Sequence, residues 1–261
     1  MTLLDGLQLP ESARWHDGRL WLANWGGGEI LAVDPAGGAE VMLRLDAFPM
    51  CFDWLPDGRL LVLDGGRRRL LRQETDGTLT TVADLRAVAD AAWNEIAVDA
   101  AGNAYVNSIG FDFPGGEFRP GVVALVTPGG DVRRVAGDLM FPNGMLVTPG
   151  GELVVAESYA GRLTAFRIAP GGDLTDRREL AVVPDAAPDG ICLDQGFIWY
   201  AEVPGRRCVR VSPDGQVDRV VEAGHGCFSC AVGDGTLFML TAEWTGAGVA
   251  PGSGRVVAVT L

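Results

Sequence analysis

Three short segments place an oxygen-bearing side chain directly after a proline: Leu9-Pro10-Glu11-Ser12, Phe141-Pro142-Asn143-Gly144 and Ala187-Pro188-Asp189-Gly190. Each of these side chains stands seven or eight residues ahead of a glycine that recurs along the chain, at Gly18, Gly151 and Gly196. At the same distance from the other recurring glycines, Gly58, Gly102 and Gly235, stand Cys51, Asn94 and Phe228. Four of these six equivalent positions carry a carboxylate or an amide in an otherwise apolar run, and none carries Arg or His. Asn or Asp before glycine is an ordinary turn residue when taken singly; the shared register is what sets these apart. Carboxylates gathered without a cation repel one another and resist desolvation. A divalent ion resolves both problems, and oxygen ligands suit calcium, magnesium or manganese.

The elements that must position these residues follow from a repeat. The chain holds 37 glycines and 15 prolines, and they punctuate short apolar, β-branched runs, as in an all-β protein. The phrase Trp15-His16-Asp17-Gly18-Arg19-Leu20-Trp21-Leu22 returns at Leu55–Val62, Asp99–Val106, Thr148–Val155, Asp194–Trp199 and Val232–Met239. The turn glycines are spaced by 40, 44, 49, 45 and 39 residues. Each turn reads as a hairpin between a first and a second strand. A second turn follows in most units, for example Thr127-Pro128-Gly129-Gly130 and Ser212-Pro213-Asp214-Gly215, with a short strand after it. About four strands per unit is the size of a propeller blade. Six such units predict one domain over residues 1–261, an all-β six-bladed β-propeller with four-stranded blades. No amphipathic helix is evident, and Leu85 to Ala92 has room for one short turn. Arg255 to Leu261 reads as the third strand of the sixth unit, and Thr2 to Leu7 as its missing fourth, closing the ring and removing exposed strand edges. In such a fold the first strands line a central channel, so Glu11, Asn94, Asn143 and Asp189 are expected at one mouth of it.

Composition narrows the function. The basic residues of the 261-residue chain number 21, all of them Arg, against 34 acidic ones, a net charge of −13. That surplus argues against nucleic acid and against anionic lipid. With no Lys a Schiff-base mechanism is excluded, and two histidines, His16 and His225, are too few for a histidine-rich metal site. The start Met1-Thr2-Leu3-Leu4-Asp5-Gly6 has neither the basic nor the apolar region of a signal peptide, and no stretch is long and apolar enough to span a bilayer, so a cytoplasmic protein is expected. Five cysteines then read as reduced thiols, and the Cys227-Phe228-Ser229-Cys230 spacing as small buried side chains of a strand. A small-molecule substrate and a monomer fit this surface. The bias toward Arg, Ala and Gly points to a GC-rich bacterium.

The motifs Pro10-Glu11-Ser12-Ala13-Arg14-Trp15, Asn94-Glu95-Ile96-Ala97-Val98-Asp99, Phe141-Pro142-Asn143-Gly144 and Pro188-Asp189-Gly190-Ile191 resemble those of the gluconolactonase, senescence marker protein (regucalcin) and luciferin-regenerating enzyme family. The resemblance covers essentially the whole chain. It implies one catalytic divalent ion held by Glu11, Asn143 and Asp189, calcium first, with magnesium, manganese or zinc as alternatives. It implies that Asp189 is the general base and that Asn94 lies beside metal and substrate. Sugar-lactonase members carry an Arg two residues before the Asn of the third unit, where this chain has Ala92, followed by Trp93. The residues expected to meet substrate are Asn94, Trp93, Met50, Cys51, Phe111, Asp112 and Phe141, at a mouth made apolar by Met50, Phe111 and Phe141 together with Trp25, Phe113, Phe118 and Met140. The expected chemistry is metal-assisted opening of a lactone or related ester less polar than a sugar lactone. A phosphotriester-type hydrolase, a biosynthetic enzyme on the same metal site, and a non-catalytic propeller binding a small molecule or calcium are the alternatives.

Overall fold

A computed structural model of the chain describes residues 1–246 and 248–261. Its strands gather into six four-stranded antiparallel sheets, the blades of a six-bladed β-propeller. The first strand, β1 (Thr2–Leu7), is followed by sheet I: β2 (Pro10–His16), β3 (Arg19–Asn24), β4 (Glu29–Val33) and β5 (Ala39–Arg44). Sheet II contains β6 (Met50–Trp54), β7 (Leu60–Asp64), β8 (Arg69–Gln73) and β9 (Leu79–Asp84). Sheet III contains β10 (Trp93–Val98), β11 (Ala104–Ser108), β12 (Gly121–Val126) and β13 (Val132–Leu139). Sheet IV contains β14 (Pro142–Val147), β15 (Glu152–Glu157), β16 (Arg162–Ile168) and β17 (Leu174–Val182). Sheet V contains β18 (Pro188–Asp194), β19 (Phe197–Glu202), β20 (Arg207–Val211) and β21 (Val217–Glu222). Sheet VI contains β22 (Gly226–Gly233), β23 (Thr236–Ala242), β24 (Gly254–Thr260) and, completing it, β1. The N-terminal strand therefore supplies the fourth strand of the last sheet, with Thr2 opposite Val257 and Leu7 opposite Gly254.

The six turn glycines all adopt φ between 71° and 88°. At Asp17-Gly18, Gln195-Gly196 and Asp234-Gly235 both turn residues have positive φ, the two-residue hairpin geometry that matches the twist of the flanking strands. The segment after Leu85 forms one turn, closed by Val88 N–H on the Leu85 carbonyl, and not a helix. Among the described residues, helical structure is limited to the short 3₁₀ turns Trp25–Gly27 and Ser158–Ala160, and no helix is long and apolar enough to cross a membrane.

The chain divides into two compact units. The first comprises residues 1–46, 161–163 and 180–261. Its core is apolar packing between sheets: Leu20, Leu22, Leu31 and Val33 of sheet I pack with Leu7, Phe238, Leu240 and Val256 of sheet VI. Trp199, Ala201 and Cys208 of sheet V pack with Cys227, Cys230, Leu237 and Met239 of sheet VI. The second unit comprises residues 47–160 and 164–179. There, Tyr105, Val123 and Leu125 of sheet III pack on Met145, Leu153, Val155 and Phe166 of sheet IV. Each large side chain buried this way contributes about 1.5–3 kcal/mol of transfer free energy.

Candidate active site

Glu11, Cys51, Asn94, Asn143 and Asp189 are each the second residue of the first strand of their sheets, β2, β6, β10, β14 and β18. The residue before each pairs with the last residue of the second strand: Pro10 with Asn24, Met50 with Asp64, Trp93 with Ser108, Pro142 with Glu157 and Pro188 with Glu202. Just beyond Glu11, Asn143 and Asp189 the register shifts, a bulge that re-aims the side chains at the strand entry. Sheet VI needs a correction. Counting back seven residues from Gly235 selects Phe228, but β22 and β23 are each one residue longer than β2 and β3, so Cys227, opposite Thr241, is the structural equivalent of Glu11 opposite Ala23.

The three proline-led strands are anchored by the ends of their neighbours, a device that sequence reading missed. Asn24 Oδ1 accepts the Gln8 N–H at 2.7 Å. Glu157 Oε2 accepts the Met140 N–H at 2.7 Å, and its other oxygen takes the Thr164 hydroxyl at 2.5 Å. Glu202 Oε1 accepts the Ala187 N–H at 3.3 Å while Oε2 holds Arg207 Nε at 2.6 Å. The bonds to the Glu157 and Glu202 carboxylates are charge-assisted and strong, and all three anchoring residues are buried. The signal was present in sequence as apolar strands ending in a polar residue: LWLAN, ELVVAE and FIWYAE. Leu9 and Phe141, each directly before its proline, hold left-handed backbones at φ 61° and 59°, a strain that the anchors sustain.

In the first unit Glu11 is half-buried and Asp189 buried. Ser229, on β22, touches both of their strands. The Ala13 N–H donates to Ser229 Oγ at 3.0 Å, and Gly190 lies so close that a Cβ there collides with the same hydroxyl. The residue after Asp189 is therefore glycine for want of space.

In the second unit the Asn94 side chain donates to Asn143 Oδ1 at 3.1 Å. Asn143 Nδ2 donates in turn to Ser158 Oγ at 3.4 Å, and the Asn143 carbonyl accepts from Asn107 Nδ2 at 2.6 Å. The Cys51 thiol donates to the Asn94 carbonyl at 2.7 Å. Of the substrate-lining candidates, Met50 and Trp93 have no exposed surface and Cys51 almost none; they pack the strand entries and present nothing to a ligand in this conformation. Asp112 is exposed, and Phe111 and Phe141 are buried at the base of an aromatic cluster. Ala92 offers only backbone, and its carbonyl takes the Ser108 hydroxyl at 2.8 Å.

All five cysteines are free. Cys227 and Cys230 do not face one another: Cys227 lies 3.4 Å from the sulfur of Cys208, and Cys230 lies 3.7 Å from that of Cys192. Burial pushes the Cys208 and Cys227 thiols up, away from reactive thiolate. Among the described residues no three His, Cys, Asp or Glu side chains gather into a metal centre.

A family model described as the SMP-30/gluconolactonase/LRE-like region matches residues 9–243. The chain belongs to this family. L-arabinolactonase of Azospirillum brasilense is 33% identical over 99 residues, 36% of this chain and 33% of that protein, so the match spans a third of the curated relative. A gluconolactonase structure from Xanthomonas campestris is 24% identical, covers 100% of this chain and 89% of that one, and superposes with a TM-score of 0.80. A luciferin-regenerating enzyme is 17% identical, with a TM-score of 0.83 over 99% of this chain and 93% of that one. A calcium-binding protein, regucalcin, from Agrobacterium tumefaciens is 18% identical, with a TM-score of 0.77 over 99% of this chain and 92% of that one. The shared feature of these structures is the fold.

Membership of the SMP-30/gluconolactonase/LRE-like family raises the question of a divalent ion, and the donor chemistry here fits one. Glu11 and Asp189 supply carboxylates and Asn143 an amide oxygen, an all-oxygen set suited to a hard cation. Asn143 Oδ1 accepts one hydrogen bond from Asn94 and keeps a second lone pair.

Proposed function

We propose that this member of the SMP-30/gluconolactonase/LRE-like family is a divalent-metal-dependent hydrolase that opens a lactone, or a related ester, less polar than a sugar lactone. The observation that carries the reading is the common placement of Glu11, Asn143 and Asp189: each directly follows a proline, at the bulged entry of its sheet's first strand. These three are the residues that hold the ion, with calcium first and magnesium, manganese or zinc as alternatives. When bound, such an ion supplies Lewis acidity toward a carbonyl oxygen and acidifies nearby water. Asp189 takes the proton of the attacking water through a carboxylate oxygen that does not ligate the ion. Oxygen from that water bonds to the carbonyl carbon, the ring C–O bond breaks, and the proton passes to the departing ring oxygen, giving a hydroxy acid. Asn94, fixed by its bond to Asn143, orients substrate or water. Phe111 and Phe141 meet the apolar part of the substrate.

The test is metal analysis of protein purified without chelator, then lactone, ester and phosphotriester hydrolysis followed in a pH-stat before and after chelation. One divalent ion per chain, lactone turnover lost with EDTA and regained with metal, and an Asp189→Asn variant that stays folded but inactive, are the expected results. A metal-free protein that gains no ion on titration, or an Asp189→Asn variant with the wild-type rate, overturns the reading.

A further inference from the structure

Five rings of the second unit stand together: Phe111, Phe113, Phe118, Phe141 and Tyr159. Phe111 lies 5.5–6.3 Å, centroid to centroid, from Phe113, Phe118, Phe141 and Tyr159, while Phe141 lies 5.2 Å from Phe113 and 4.7 Å from Tyr159. The arrangement has a floor and a rim. Phe111 and Phe141 are buried, whereas Phe113, Phe118 and Tyr159 are 47%, 39% and 52% exposed. Aromatic side chains scattered singly on a surface need no explanation, but a contiguous exposed patch marks a binding site.

This patch is tied to the candidate active site by backbone. Ser158 N–H donates to the Phe141 carbonyl at 3.0 Å and Tyr159 N–H to the Met140 carbonyl at 3.1 Å. The same Ser158 receives the Asn143 amide, and Phe141 is separated from Asn143 only by Pro142. The left-handed backbone of Phe141 fixes the direction in which its ring leaves the strand entry. Five π faces carry a single hydroxyl, that of Tyr159. Such a surface complements an aryl or other bulky apolar group and offers little to a polyol.

We propose that these rings are the platform that sets substrate choice: they take an aryl or bulky apolar substituent carried by the lactone ring. The proposal rests on the lactonase reading for the reacting group, while the platform concerns the part of the substrate that does not react.

The test compares γ-phenyl- with γ-methyl-γ-butyrolactone and a polyhydroxylated aldonolactone, in wild type and in a Phe113→Ser/Tyr159→Ser double variant. Val217→Ser, at an exposed position of β21, serves as control. The wild type is expected to prefer the phenyl lactone in kcat/KM, and the double variant to lose about three- to tenfold of the phenyl-to-methyl ratio, the range for a few lost ring contacts. Val217→Ser keeps the ratio. Calorimetric binding of the matching lactams, which resist hydrolysis, separates the two readings. Phenyl lactam bound more tightly than methyl lactam, in a manner lost in the double variant, supports the platform even if no lactone is turned over; only the hydrolase reading then falls. Lactone turnover with a ratio indifferent to the double variant, or a wild-type preference for the aldonolactone, overturns the platform. So does a double variant that changes the oligomeric state and leaves the ratio intact, which makes the patch a contact between copies of this chain.

Discussion

Asn94 and Asn143, 49 residues apart in sequence, share one hydrogen bond from side-chain amide to side-chain oxygen. In the proposed ion site that bond leaves Oδ1 as the ligand atom of Asn143, because Nδ2 is committed to Ser158. Asn94→Leu removes the donor. The expected result is a loss of 10- to 100-fold in ion affinity or in activity, roughly the usual effect of removing a residue that orients a metal ligand. Asn143→Ala is expected to lose the ion altogether. Equilibrium dialysis with calcium and manganese checks both. An Asn94→Leu variant that binds the ion as tightly as wild type rules out this role for the bond.

Ser229 couples the strands of Glu11 and Asp189. Ser229→Ala leaves the buried Ala13 N–H unpaired, a loss of about 1–3 kcal/mol. Gly190→Ala pushes a methyl into the same hydroxyl and is expected to do more damage, while the Gly190→Ala/Ser229→Gly pair recovers part of the stability by making room. Urea unfolding of the three variants measures this. Strictly additive effects in the double variant are the outcome that contradicts the packing relationship.

The fold was legible where it depends on local chemistry. A glycine at positive φ in each hairpin is a requirement of the turn, so six glycines spaced 39 to 49 residues apart betray six sheets. The strand entries at Pro10, Pro142 and Pro188 were legible for the same reason. What holds them was not, because Asn24, Glu157 and Glu202 act through backbone groups 15 to 17 residues away in sequence. Equivalence in sheet VI was misread because β22 and β23 run one residue longer than β2 and β3, which a fixed count from the turn cannot see. The aromatic cluster was legible except for one ring: Phe111, Phe113, Phe118 and Phe141 stood out, but Tyr159 joins them through a 3₁₀ turn that the sequence pattern did not reveal.

Tyr105 and Tyr200 are both buried, yet their hydroxyls differ. Tyr105 donates to the Gly172 carbonyl at 3.0 Å, whereas the Tyr200 hydroxyl has no hydrogen-bond partner among the described residues. Tyr105→Phe is expected to destabilise by about 1 kcal/mol, and Tyr200→Phe to be neutral or stabilising by a similar amount. Burial pushes both phenols up, with Asp99 adding to the effect at Tyr105 and Glu202 at Tyr200. The native state thus keeps protons that the unfolded chain releases at the ordinary tyrosine value of about 10. Stability from this source is complete below that pH and falls as the pH rises beyond it. Thermal melts between neutral and alkaline pH should show each Phe variant flattening the alkaline loss. A slope identical in all three proteins contradicts the assignment.

The N-terminal strand completes sheet VI through both ends of its pairing. Met1 exchanges hydrogen bonds with Ala258 at 2.7 and 2.8 Å, and Leu7 is buried in the packing of sheets I and VI. Removing residues 1–7 exposes the edge of β24 and opens a hole where Leu7 sat, so the truncated protein is expected to melt much earlier and to aggregate through the bared edge. Leu7→Ala isolates the packing part of the effect, about 2–5 kcal/mol for a buried leucine. In a chain of this size each kcal/mol shifts the melting temperature by about 2–4 °C, so a fall on the order of 5–15 °C is expected for the point variant and a larger one for the truncation. Differential scanning calorimetry of the three proteins at two concentrations separates unfolding from association. A truncated protein that melts with the wild type means that sheet VI stands on three strands and that β1 is dispensable.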